Sequence, residues 1–159
     1  MQEEKLGFIN DTMFTLLASL PASSEGLWGK MNSQHMVEHV RDFFNVSIEQ
    51  IRFGLVTPEE HLPRYKDFLL SEKQFRENTK APTTVLGEEP MPLRFSSMAE
   101  AVTALQKTVE QFNEFFNNNP GRKTIHPIFG PLDFEEWIQL HYKHITHHFR
   151  QFGLLPRHA

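Results

Sequence analysis

The sequence predicts an all-α protein, a four-helix bundle built from one domain over residues 1–159. Three observations lead there. Four stretches carry apolar residues at helical spacing, helix-start residues precede three of them, and a long proline-bearing connection follows the second. A long connection permits an up-down-down-up order, which short links between antiparallel neighbours do not.

The first helix is expected over residues 3–19. Leu6, Ile9, Met13, Leu16 and Leu17 recur at helical spacing, and Pro21 ends the run. The second starts at Asn32 or Ser33, both good N-caps, with Met36, Val37, Val40, Phe43, Phe44 and Ile51 as its apolar stripe and Gly54 and Pro58 as its end. Residues 54–95 form the long crossover between helices 2 and 3. Pro58, Pro63, Pro82, Pro90 and Pro92 forbid one long helix there. A short helix fits around Arg64–Glu77, and the stretch from Thr79 to Pro90 reads as extended. So long a connection in a small domain suggests a crossover or a cover over a site.

The third helix runs from about Ser97 to Asn117. Ser97 is its expected cap, Glu100 completes a capping box, and the Asn-Asn-Asn-Pro-Gly run at 117–121 stops it. A loop from His126 to Pro131 leads to the last helix, with Asp133 as N-cap and Glu136 three residues on. Phe134, Ile138, His141, Ile145, His148 and Phe152 share one face, and Gly153 and Pro156 close it.

Composition bounds the chemistry. A net charge of −4, with 39% apolar and 23% charged residues, describes a globular chain with no implied nucleic-acid or membrane partner. No apolar run reaches the roughly 20 residues of a membrane span. The first residues lack the basic-then-apolar order of a signal peptide, so a cytoplasmic location is expected by default. There is no cysteine, so any metal must be held by nitrogen and oxygen. Fifteen phenylalanines against two tyrosines mean large buried rings with few phenol groups.

The histidines carry the functional signal. His144 and His148 are spaced i, i+4, which stacks two imidazoles on one helix face about 5–6 Å apart at Cβ. His35 and His39 repeat that spacing on the second helix, with His39 on the flank of the apolar stripe. Histidines from two helices suggest a transition-metal site inside the bundle. His141 with His144 is a competing pair, and spacing does not decide between them. His147 is expected to face solvent, His35 and His61 to be ordinary surface residues, and His158 to lie in a frayed tail. Glu59-Glu60 and Glu88-Glu89 read as solvated loop charge.

Trp28-Gly-Lys-Met-Asn-Ser-Gln-His-Met-Val-Glu-His39 resembles the start of the second helix in the DinB/YfiT-like superfamily. His144-Ile-Thr-His-His148-Phe-Arg-Gln151 resembles that superfamily's histidine motif, departing from its Arg-Gly-Gln ending at Phe149 and Arg150. The run from His126 through His144 is similar to the DUF1569 branch. The resemblance covers most of the chain and is weakest over residues 54–95. It implies an up-down-down-up four-helix bundle, a homodimer, and a metal triad of His39, His144 and His148, with His141 outside it.

Three neutral imidazoles leave coordination positions open, as catalytic sites do, and suit nickel, zinc or iron(II). The resemblance further suggests a metal-dependent S-transferase, isomerase or hydrolase acting on a small electrophile with a low-molecular-weight thiol or water. His126 and His141 are then candidates to support a ligand or move a proton. The competing expectation is a non-catalytic helical bundle with a structural or vestigial metal site, acting by association.

Overall fold

The computed structural model describes residues 2–77 and 90–157. It is mostly helical. Helix α1 opens the chain in three continuous segments, α-helical Gln2–Gly7, π-helical Phe8–Thr12 and α-helical Met13–Leu17. Its fully buried residues, Ile9, Met13 and Leu17, are four apart. Four residues of regular α-helix overshoot a full turn by about 40°, and the wider π turn takes up that drift between Ile9 and Met13.

Helix α2, Ser33–Ser47, starts as expected. Asn32 accepts from the His35 backbone N–H at 2.9 Å, and His35 Nδ1 accepts from the Asn32 N–H at 3.1 Å. An imidazole thus takes the place of the usual Glu or Gln in a capping box. The helix stops at Ser47, before Ile51 and the expected close at Gly54. The chain turns at Glu49, which sits at φ 64°, and Gln50 N–H reaches back to Asn45 O at 2.9 Å while Glu49 N–H bonds Val46 O at 3.2 Å. This is a Schellman ending on a non-glycine residue, and such an ending leaves no glycine or asparagine signal to read. Arg122 and Arg52 both pair with the Glu49 carboxylate.

A 3-10 turn, Glu59–His61, leads into helix α3, Leu62–Leu70, with Pro63 in its first turn. The expected helix around 64–77 is therefore shorter and ends at Leu70, because residues 71–77 are drawn against the last helix instead. Helix α4 spans Met98–Asn118, and Ser97 Oγ accepts from Glu100 N–H at 3.1 Å. The capping box is only half made. The Glu100 carboxylate turns to Ser96, taking its backbone N–H at 3.2 Å and its hydroxyl at 2.6 Å. The segment read as a loop holds a two-stranded antiparallel hairpin, β1 (Thr124–His126) and β2 (Gly130–Leu132), with Gly130 at φ +81° in its turn. Each strand has three residues, too few for alternation to show.

Helix α5, Phe134–Gln151, carries a complete Asp133–Glu136 capping box. From Trp137 to Gln151 every residue except Tyr142 is buried. The helix packs against α1 on one side, α2 on another and α3 on a third, while α2 lies along α4. Phe44, Phe112, Trp137, Phe149 and Leu105 form the fully buried centre between them. The polar side of α5 is covered by the crossover. Lys143 Nζ donates to Ser71 O at 2.9 Å and also to Lys73 O, and Gln139 bonds Ser71 O and Lys5. The far end of the crossover is tied to α2. Glu38 accepts from the backbone N–H groups of Arg94 and Phe95, and Arg94 forks onto both Asp42 oxygens at 2.8 Å. The extended reading of Thr79 to Pro90 falls almost wholly outside the described residues, as do Glu88, Glu89 and His158. Among the described residues, no helix is long and apolar enough to cross a membrane.

Candidate metal centre

Helix α2 presents His39, and α5 presents His144 and His148 one turn apart. Their rings meet edge to face, with centroids 4.9, 4.9 and 4.6 Å apart. His144 Nε2 lies 3.0 Å from His39 Nε2 and 3.1 Å from His148 Nε2. One donor atom from each lies within 4.8 Å of the other two, and among the described residues no carboxylate joins this group. Phe43, from the turn of α2 after His39, lies against the His144 ring at 4.2 Å and the His39 ring at 5.0 Å.

The electrostatics keep these rings uncharged. Burial pushes His39 down to about 4, and Arg94 and His147 add to that against the opposing pull of Asp42. Burial also holds His144 and His148 well below the ordinary imidazole value, and the neighbouring imidazoles push the same way. Neutral imidazole is the ligand form. Nitrogens about 2.1 Å from a shared centre sit about 3.0 Å apart when their bonds meet at right angles, and about 3.4 Å apart at tetrahedral angles. The two separations from His144, 3.0 and 3.1 Å, are short enough for a shared ion and are also hydrogen-bond distances. Without an ion the cluster is awkward, because one N–H on His144 Nε2 can serve only one of its two neighbours. The donor set is compatible with a divalent transition metal.

The family model described as the DinB superfamily matches residues 16–152. The chain belongs to the DinB superfamily. No curated protein and no solved structure matches it.

In this DinB-superfamily chain the other histidines fall into different environments. His126, at the end of β1, is 4% exposed. Its Nδ1 accepts from the backbone N–H groups of Ile128 and Phe129 at 3.0 and 3.3 Å, which fixes the hairpin turn. The proton therefore sits on Nε2, which is buried with no partner among the described residues. Burial lowers its pKa to about 3, so it stays a neutral donor. Phe43 lies next to both rings, 5.8 Å from His126 and 4.2 Å from His144. His141 is set in the aromatic core, stacked on Phe44 at 3.8 Å and on Trp137 at 5.3 Å. Ser47 Oγ donates to Phe44 O at 2.6 Å, so its contact with His141 Nε2 at 3.2 Å is one it accepts.

His147 overturns its expectation. It is 6% exposed, held between the Trp28 ring at 5.6 Å and the Phe75 ring at 5.7 Å, and burial lowers its pKa to about 4. A helical wheel assigns it to solvent because it assumes one exposed face, whereas α5 has none over this stretch. His61 is exposed and His35 half-buried at its cap. Sequence reasoning passed over Phe43 and Gln151 as parts of the site. Gln151 Oε1 lies 2.7 Å from His148 Nδ1. Its signal was the i, i+3 spacing from His148, which puts the two on one face.

Proposed function

We propose that this protein is a metal-dependent enzyme in which His39, His144 and His148 hold one nickel, zinc or iron(II) ion, and in which a small thiol or water is directed at a small electrophile. The observation that carries this reading is the convergence of three neutral imidazoles with no carboxylate among the described residues at their centre. Such a set leaves coordination positions free for a reactant. A divalent ion bound there would lower the pKa of a coordinated water toward neutrality and deprotonate a coordinated thiol outright.

The chain's own residues supply the rest. Phe43 provides an apolar wall beside the His39 and His144 imidazoles, and Trp28 lies against the neighbouring His147. Burial keeps His126 from taking a second proton, and its buried Nε2–H is offered as a hydrogen-bond donor. His141 braces α5 against α2 through Ser47. The run from His126 to His144 supports placement in the DUF1569 branch. The packing of α2 on α4 and of α1 on α5 supports an up-down-down-up order.

The test is elemental analysis of protein purified without a metal-affinity tag, beside His39→Ala and His148→Ala. About one metal ion per chain, lost in both variants with helical CD intact, is expected. No metal in the wild type after reloading refutes the site. A second reading, a bundle acting through association, draws on exposed Leu55, Val56 and Ile125, at 39, 45 and 42% exposure, where Val56 N–H bonds Pro127 O across to the hairpin. We propose a homodimer on either reading. A tight dimer with no metal-dependent turnover of electrophiles by any biological thiol favours the second.

A further inference from the structure

Gln151 closes α5 at the point where the loop before α2 crosses it. Leu27 N–H bonds Gln151 O at 2.7 Å, and Gln151 Nε2 donates to Trp28 O at 2.9 Å. The loop comes this close only because two of its residues lack side chains. A Cβ on Gly29, at φ +78°, would stand 2.7 Å from Gln151 Nε2, and one on Gly26 would stand 3.1 Å from Gln151 Cγ.

The protons in this chain of bonds are fixed by elimination. Trp28 O is a carbonyl and only accepts, so the end of the Gln151 amide facing it is the NH2 group. The other end is then the carbonyl oxygen, which also only accepts. It lies 2.7 Å from His148 Nδ1, so that nitrogen carries the hydrogen. A neutral imidazole has one, and His148 Nε2 is left with its lone pair facing His144 Nε2 at 3.1 Å.

We propose that Gln151 is a positioning residue for the three-histidine cluster. Its side-chain amide, oriented by the Trp28 carbonyl, holds His148 in the Nδ1–H tautomer and turns the Nε2 lone pair toward His144 and His39. A ligating histidine whose remote nitrogen donates to a fixed acceptor is a more basic and better oriented ligand, an effect of about 10–100-fold in metal affinity. That consequence rests on the proposed metal site, while the tautomer does not.

The experiment is imidazole nitrogen NMR on the metal-free full chain near neutral pH, followed by cobalt(II) titration. Wild-type His148 is expected as Nδ1–H. Gln151→Leu releases the ring toward the Nε2–H form that free imidazoles prefer, and weakens cobalt binding by about 10–100-fold with unchanged helical CD. An Nε2–H His148 in the wild type overturns the proposal, as does a Gln151→Leu protein with wild-type tautomer and cobalt affinity. If Gln151→Leu does not fold, the wild-type tautomer decides it. A wild type that takes up no cobalt but shows Nδ1–H sinks the metal reading and leaves Gln151's role in the cluster standing.

Discussion

Acidification should unfold the metal-free protein well above the pH at which its carboxylates protonate. His39, His126 and His147 titrate in the folded chain at about 4, about 3 and about 4. In the unfolded chain each returns to about 6.5. Between those values the unfolded state binds the proton and the native state does not, so stability falls as pH drops below about 6.5. At about pH 5 each of the three takes away about 2 kcal/mol, or about 6 kcal/mol together. His141, His144 and His148, also held neutral by burial, act in the same direction. Whole domains of this size have about 5–15 kcal/mol to lose. Urea unfolding of chelator-treated protein, followed by CD at steps from about pH 7 to about pH 5, reads the slope directly. The expected result is a steep loss, with collapse near or above pH 5. A stability constant to within about 1 kcal/mol across that range would mean that these imidazoles are solvated, and the argument for a neutral donor set would fail with it. His126→Gln should flatten the slope by about 1 kcal/mol per pH unit, one proton's worth.

Three further outcomes test the surroundings of the site. Glu38→Ala removes a 3%-exposed carboxylate that takes the backbone N–H groups of Arg94 and Phe95 and the Gln34 amide, and should cost about 2–4 kcal/mol in chemical denaturation. Lys143→Met strands the carbonyl of Lys73, leaves that of Ser71 to Gln139 alone and removes a cation 4.6 Å from the Phe68 ring, so limited proteolysis should move into residues 71–77 with a loss of about 1–2 kcal/mol. Trp137→Phe breaks the Nε1–H bond to Thr124 Oγ1 at 2.7 Å, between α5 and the hairpin, and should lower stability by about 1–3 kcal/mol with helical CD retained. A Trp137→Phe protein as stable as the wild type would show that the hairpin is not tied to α5 through this bond.

The local signals read well because their physics is local. Asn32, Ser97 and Asp133 each cap a helix, since a side chain reaches only the next few backbone N–H groups, and those are fixed by sequence distance. The i, i+4 spacing of His144 and His148 likewise puts two imidazoles on one face whatever else the chain does. Other features depended on partners distant in sequence. Whether His39, more than a hundred residues from His144, completes the cluster was decided by how α2 crosses α5. Only packing showed that His147 is buried, because Trp28 and Phe75 come from two separate connections. The same holds for Gln151, whose acceptor role follows from a loop carbonyl 123 positions away. The early end of α2 was illegible for a further reason. A glutamate in the left-handed region carries no sequence mark, and the turn stands because the native fold supplies Arg122 from across the chain. Sequence alone thus determined the helices' starts and the residues able to bind a metal. Tertiary structure decided which of those residues meet, and which nitrogen of each faces the others, because burial and hydrogen-bond partners are properties of the assembled fold.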